Sequence, residues 1–589
     1  MSHFLRALII LLGLPNALWA ADAVIAGAIR VDATYENLGV RWSIGGDDDG
    51  DSRLTLELRR AGTTLWRAAA PALGARPELV VNGSPLGLHY WAASALFLEP
   101  DTAYELRLRL EDPDGGSTTR VLTASTRRPI PDPPPGRLRY AVPGTGGGSG
   151  SLGDPFRGLQ AAADGVVAGD VVLVDAGLYE PFAIATSGSA GAVIAFVGPP
   201  DGSAIVDGGG TDRGVVTLGT GGSAPVSHLL VQGLTIQNGR WGVDLQHSSD
   251  IVLRRNRIRD VDFGVLNRRA ADLERRQTVC DNVILGRTPW PGSGIPAERG
   301  IDLRGHGHVV CHNLVRDFGD CISVQPFTGD SFGNDVFGND VARCVDDGIE
   351  IDYNQSNVRV WRNRVYNARM GVSVQPIAGG PAYILRNELF NLEDKPIKLH
   401  NSPAGLWVAH NTGAKRGNAV HDTGSSNWRN AVFRNNLWLG TEYAFEFINI
   451  SSDGFRDFDY NGWGTTRGGS LPHFKWNNVR YDTLGDLQGA VGIELRGVTV
   501  AFDDLVDATL PASWDVEVAP ASRDLRLASA LPRDRGEALP NLNEPFVFDG
   551  RPDLGAFEVG SAPPAYGPRR FIFRDGFESG DTDAWQTGP

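Results

Sequence analysis

Four things are scarce in this 589-residue sequence. The first is long apolar runs. After residue 20 nothing reaches the roughly eighteen consecutive apolar residues that a membrane-crossing helix needs, so no membrane span is expected. The second is positive charge: Lys and Arg number 55 against 70 Asp and Glu, for a net charge of −15. Nonspecific nucleic-acid binding draws on a basic stripe, so no nucleic-acid partner is expected. A chain this acidic handles an acidic polymer only through local positive charge or a bridging cation. The third is cysteine. Cys280, Cys311, Cys321 and Cys344 contain no C-x-x-C pair, which speaks against a zinc site. The fourth is helical periodicity, absent from the central region.

What is present points to a folded, repetitive chain. Hydrophobic residues make up 41%, ample for a core. The 74 glycines suit a fold with a tight turn at every corner. Residues 1–20 read as a signal peptide: His3 and Arg6 precede the apolar run ALIILLGL, and small residues follow at Ala20, Ala21 and Ala23. The mature protein is therefore expected to be a soluble monomer, secreted to the extracellular space or held in the periplasm.

The pattern apolar-x-x-Asn-x-apolar recurs around Asn256, Asn282, Asn313, Asn339, Asn363, Asn387, Asn411 and, in VFRNNL, Asn435. The first three intervals are 26, 31 and 26 residues and the last four are 24 each. A period in this range means stacked repeats, and a repeated buried Asn fits a ladder of side-chain amides. After most of these Asn a second short strand follows: GVLN, GIDL, CISV, GIEI, GVSV, PIKL. Period-2 alternation turns Ile322 and Val324, Ile349 and Ile351, Val372 and Val374, and Ile397 and Leu399 inward. Cys280 and Cys311 share one position in adjacent coils, roughly 4.8 Å apart. Either a disulfide or two stacked thiols fits there.

Repeat, amide ladder and the segment PFRGLQAAADGVVAGDVVLVDAGLYEPFAI resemble the right-handed parallel β-helix of the pectate lyase-like superfamily, over roughly residues 147–560. In that resemblance the segment is a helical cap with the first coil. Residues 24–128 contain LEPDTAYELRLRLEDPDG, which resembles the corner-tyrosine segment of a fibronectin type III sandwich, with Tyr104 as the tyrosine. This domain reads as a spacer or a carbohydrate-binding module. Residues 129–146 read as a linker opened by the stiff PIPDPPPG. PDLGAFEVG (552–560) resembles a closing strand, and 561–589 form a tail. Residues 462–535 show no clean period. The expected class is all-β, a β-helix preceded by a β-sandwich.

Outward positions of the second strands fall into two rows. One reads Asp244, Asp302, Ser323, Glu350, Ser373, Lys398; the other reads Gln246, Arg304, Gln325, Asp352, Gln375, His400. Asp320, Asp346, Asp347, Tyr353 and Lys395 flank them. Such a ladder of polar groups on one face is a groove for an extended polymer, with Asp302, Gln325, Asp352, Tyr353 and Gln375 as substrate-binding candidates. The densest stretch is VARCVDDGIEI (341–351). DDGIE resembles the calcium-binding pattern of family 9 pectate lyases, which implies Asp346, Asp347 and Glu350 as ligands, with Asp320 one coil earlier; Glu350 stands where that family has Asp. Calcium takes six to eight oxygens, and acids this close repel unless protonated or bound to a cation.

The resemblance implies removal of the proton α to a uronate carboxylate by a base that is neutral at working pH. Lys398 is the first candidate, with a pKa expected to be depressed by nearby cations. His400 is the second, and Arg304 is expected to grip a sugar carboxylate bidentately. The expected function is a calcium-assisted lyase on acidic polysaccharide. Hydrolysis by paired carboxylates, uronate epimerisation and non-catalytic carbohydrate binding remain open beside it.

Overall fold

Two long parallel sheets, one of 14 strands and one of 17, run side by side along a computed structural model of the chain. It describes residues 22–219, 225–267, 275–326, 331–422, 427–450, 456–468, 471–546 and 550–569. The expected signal peptide, residues 1–20, and tail residues 570–589 lie outside the described residues. Each turn of the chain gives one strand to the 14-stranded sheet and one or two to the 17-stranded sheet, so the expected β-helix is what the chain forms. Ile322, Val324, Ile349, Ile351, Val372, Val374, Ile397 and Leu399 all point inward at 0% exposure. Each contributes about 1.5–3 kcal/mol by leaving water. The helix Leu159–Gly165 stands at the N-terminal end, burying Leu159, Ala162 and Ala163.

The asparagine ladder forms at one corner. Each Oδ1 accepts from both the backbone N–H and the side-chain amide of the preceding ladder residue, as between Asn363 and Asn387 at 3.0 Å for both bonds. One member is corrected: the residue after Asn411 is Asn436, which accepts from Asn411 N at 2.9 Å, and Asn461 follows. Asn435 instead occupies the left-handed turn position (φ 57°) that Arg386 (φ 51°) and His410 (φ 56°) occupy in earlier coils. The ladder ends on Glu494, whose carboxylate accepts from Asn461 Nδ2 at 2.7 Å. Cys280–Cys311 and Cys321–Cys344 are both disulfides, tying neighbouring coils.

The N-terminal sandwich pairs a four-stranded sheet built from Ile25–Ala33, Leu38–Gly45, Tyr90–Ala95 and Leu73–Ala75 with another built from Thr118–Ser125, Ala103–Glu111, Arg53–Arg60 and Arg67–Ala68. Tyr104 is buried and its hydroxyl accepts from Glu99 N at 3.0 Å. The sandwich is not a detached spacer. It packs on the outer face of the 14-stranded sheet around Arg359, fully buried, which binds Asp335 at 2.6 Å and Asp32 at 3.1 Å. The segment expected as linker contains the strand Arg137–Val142, which pairs in parallel with Asp170–Val174. After the last coil strand, Val498–Thr499, the chain runs back over the solenoid. Val518, Leu525 and Leu527 pack on Tyr366, Phe390 and Leu437. PDLGAFEVG forms no strand; Gly555 N and Ala556 N donate to Asn435 O and Thr412 Oγ1.

Candidate active site

The 17-stranded sheet brings the expected row together in register: Asp302 lies beside Ser323, Ser323 beside Glu350, Glu350 beside Ser373, and Ser373 beside Lys398. Arg304 lies beside Gln325 in the second row. Where a strand turns outward just before this row, Asp320, Asp346 and Asp347 converge, each buried, with one carboxylate oxygen apiece lying within 4.8 Å of the others. The backbone makes this possible. Asp320 begins the strand Asp320–Gln325, one coil before Asp347, and its Oδ1 accepts from Asp347 N at 3.2 Å.

Three cations answer these acids. Lys398 Nζ lies 2.9 Å from Asp347 Oδ2, Arg369 Nη1 lies 3.1 Å from Asp346 Oδ1, and Arg299 Nη2 lies 3.0 Å from Asp320 Oδ2. Glu350 accepts from Ser323 Oγ at 2.7 Å and Gln325 Nε2 at 2.8 Å. Asp352 accepts from Ser373 Oγ at 2.8 Å and Gln375 N at 2.7 Å. Among the described residues Asp347 Oδ1 is buried with no hydrogen-bond partner, as is Gln375 Oε1.

Burial dominates the electrostatics. It pushes Asp347 up to about 7, with Lys398 pulling against it and Asp346 and Glu350 adding to it. It raises Asp320 well above the ordinary range, helped by Glu350 and Asp347 and opposed by Arg299. It raises Asp352 likewise, with Glu350 and Asp347 adding. Burial alone would lower Lys398, but Asp347 beside it outweighs that, and the ammonium titrates above its ordinary value. The expected depression of Lys398 is thus reversed: its closest charged neighbour is an acid, not a cation. Burial, then Lys395 and Lys398, lower His400 to about 4, so it is neutral at pH 7.

Two further expectations change. Arg304 is engaged by Asp302, with Nε 2.7 Å from Oδ1 and Nη2 donating to Oδ2 at 3.1 Å, so it does not present an open fork to a sugar. Of the expected substrate-binding set, Asp302, Gln325 and Asp352 are buried, whereas Tyr353 stands 45% exposed in left-handed backbone. Gln375 donates its backbone N–H to Asp352 rather than standing clear of it.

Arg299 and Arg369 were missed by sequence reasoning, as was a short sheet beside Ile397–Lys398 that carries His421, Glu446 and Lys475 in register. His421 Nε2 lies 2.9 Å from Asp394 Oδ1, and Lys395 Nζ lies 2.9 Å from Asp394 Oδ2. One signal was available. The chain has only four lysines, at 395, 398, 415 and 475, and uses Arg everywhere else. All four fall in the coils from Lys395 onward, and Lys395, Lys398 and Lys415 are buried.

Such a face, with clustered carboxylates, interleaved cations and a neutral imidazole on a parallel β-helix, defines a class of open sheet-face site. No family model matches the chain, and no curated protein matches it. Among solved structures it is similar to pectate lyase Pel9A, at 16% identity and a TM-score of 0.39, covering 72% of this chain and 96% of that one. It is similar to an alginate lyase from Paenibacillus sp. str. FPU-7, at 13% identity and a TM-score of 0.26, covering 54% of this chain and 96% of that one. It is also similar to a DFA-IIIase from Arthrobacter chlorophenolicus A6, at 11% identity and a TM-score of 0.31, covering 62% and 90%.

Proposed function

We propose that this is an exported polysaccharide-active enzyme, a calcium-assisted lyase that cleaves a uronate-containing polymer by β-elimination. The observation that carries the reading is the convergence of Asp320, Asp346 and Asp347 within 4.8 Å on an outward polar sheet face, with Lys398 at 2.9 Å from Asp347. The two disulfides suit an oxidising compartment, in line with the signal-peptide reading. The sandwich is read as fibronectin type III-like on the bond of Tyr104 to Glu99.

The residues fit calcium. The donors are all carboxylate oxygens, the set a hard cation takes, and Asp347 Oδ1 is a buried acceptor without a donor among the described residues. Asp320, Asp346 and Asp347 would hold the ion, with Glu350 at the margin. Bound there, calcium would neutralise a substrate carboxylate and favour charge developing on it.

The chain's own groups do the rest. Arg299, 25% exposed, lies 3.0 Å from Asp320 and 3.9 Å from Glu350, so like Arg304 it is engaged by acids of this face. Tyr353 offers an exposed ring on which a sugar stacks. A base must be neutral to take the proton. His400 is neutral as it stands. Lys398 is held as the ammonium by Asp347 and becomes a base only when that carboxylate is satisfied otherwise.

Hydrolysis is the second reading, favoured by Asp320 and Asp347 both being raised, as an acid partner requires. Their oxygens, within 4.8 Å, are too close for the roughly 6.5–9.5 Å of an inverting pair. The deciding experiment follows ultraviolet absorbance with a panel of uronate polysaccharides, with calcium and with chelator. Rising absorbance that chelator abolishes reports the conjugated double bond of elimination. A flat trace with new reducing ends means hydrolysis, and neither signal on any polymer leaves epimerisation or carbohydrate binding.

A further inference from the structure

Away from the groove, the turns that precede the ladder asparagines stack into a column of their own. Arg362, Arg386 and His410 hold it in left-handed backbone, with φ of 51, 51 and 56°. The returning C-terminal segment crosses this column. Between them lies a cavity of about 290 Å³ lined by Arg362, Arg386, Phe546, Glu558, Ser561 and Ala562.

Arg386 is 2% exposed. Its Nη1 lies 3.5 Å from Glu558 Oε2. Among the described residues its Nε and Nη2 have no hydrogen-bond partner. Those two nitrogens form one edge of the guanidinium, the edge that grips a carboxylate or phosphate through two parallel bonds. A buried donor left idle costs the free energy of removing it from water. Arg362 shares the cavity, and both guanidiniums lie against one ring: Arg386 Cζ is 4.6 Å and Arg362 Cζ 4.9 Å from the Phe546 centroid. Arg362, Arg386 and Arg526 line the half-open cavity with Glu558, and Arg526 is itself paired with Asp524. Burial lowers Arg386 to about 10, with Glu558 restoring only part, and it lowers Arg362 too.

We propose that this cavity is a second binding site, for a small oxyanion of the carboxylate or phosphate kind, held on the Nε–Nη2 edge of Arg386 with Arg362 beside it and the Phe546 face as an apolar wall. Its volume sits at the small end of the roughly 300–1,000 Å³ of ligand pockets, so the ligand is a single ring or smaller. Glu558 lies on the other edge of Arg386 and keeps the guanidinium oriented. The site is independent of the groove and of the reaction proposed for it.

The test is thermal unfolding of the full chain with D-glucuronate, inorganic phosphate and, as an uncharged control, glucose, at matched ionic strength in chelator. A bound anion raises the midpoint with the logarithm of its concentration, and glucose leaves it unchanged. Glucuronate alone acting identifies a sugar acid, phosphate alone an inorganic oxyanion, and both a general oxyanion site. Arg386→Met is expected to abolish the shift. Ala562→Trp fills the cavity from an exposed position, abolishes the shift as well, and decides the matter if Arg386→Met does not fold. Tyr353→Ala, in the groove, keeps it. No shift with either anion, or a shift that survives Ala562→Trp, overturns the proposal.

Discussion

Glu494 offers a stability prediction that can be worked from one residue. It is fully buried at the end of the asparagine ladder, where its carboxylate accepts from Asn461 Nδ2 at 2.7 Å and Asn461 N at 3.3 Å. Burial pushes it from its ordinary 4.5 up to about 7, with the bonds from Asn461 pulling back and Asp459 adding. The folded value lies above the unfolded one. Its contribution to stability is therefore fully present below about pH 4.5, falls as pH rises from there to 7, and is constant above. At about 1.4 kcal/mol per unit, the loss over that window is about 3 kcal/mol. Glu494→Gln has no charge to bury. Whatever fixed amount its amide costs in hydrogen bonding, the stability of the variant relative to the parent should rise by about 3 kcal/mol between pH 4 and pH 8. Urea unfolding in chelator at five pH values across that range measures it, and the other titrating groups cancel in the difference. Parallel profiles for the two proteins would refute the assignment of a raised, buried carboxyl as the ladder's terminus.

Four further outcomes are expected. Lys398→Ala and His400→Ala should separate in the elimination assay: the base loses about 10²–10⁴ in turnover, whereas the other residue changes it less than tenfold. Calcium should raise the unfolding midpoint of the parent protein and leave Asp347→Asn unmoved; equal response in both would mean that the acids are simply an ion-pair cluster with Lys398, Arg369 and Arg299. Reduction of Cys280–Cys311 and Cys321–Cys344, which close 31 and 23 residues, should cost about 3–4 kcal/mol each, read as a lower urea midpoint under reductant, and an unchanged midpoint would count against the pairing. Arg359→Met strands Asp32 and Asp335 without their buried cation, at about 3–5 kcal/mol; limited proteolysis between residues 129 and 136 should accelerate, and unaltered digestion would show that the sandwich is held otherwise.

The coils were legible because the pleat has a period of two and the ladder needs one amide per turn. A chain that repeats both leaves the same signature whatever else it carries. The signature failed at Asn435 and Asn436, where two adjacent asparagines compete for one rung. Only the turn geometry tells them apart: the left-handed position accepts the first, so the second bonds Asn411. Beyond Asn461 the ladder changes chemistry, since Glu494 closes it with a carboxylate. The returning chain beyond Thr499 has no repeat to read, because Val518, Leu525 and Leu527 pack on coils made long before them in the chain. The docking of the sandwich was likewise out of reach. Nothing local to Asp32 or Arg359 says that they meet, more than 300 residues apart.

The site was legible in its acids and not in its counter-charges, and the pentads that end on each row residue show why. ERGID, GDCIS, DDGIE, RMGVS and DKPIK occupy the same place in successive coils. Read down their first two columns, cations flank the acids: Arg299 stands beside Asp320, Asp320 is followed by Asp347, and Asp346 is followed one coil later by Arg369 and two later by Asp394. A scan for clustered acids along the chain finds DDGIE and stops. A scan across the coils finds that each acid has a cation one or two coils away, as Asp347 has Lys398. That arrangement also explains the reversal at Lys398. Expecting a low pKa assumed cations as neighbours, whereas vertical stacking delivers carboxylates. The same stacking makes the cluster tolerable without an ion, because three cations lie within 3.1 Å of its acids. An ion that binds there competes with those cations for the same carboxylates. The contact to Lys398 is the one whose release would also free a base.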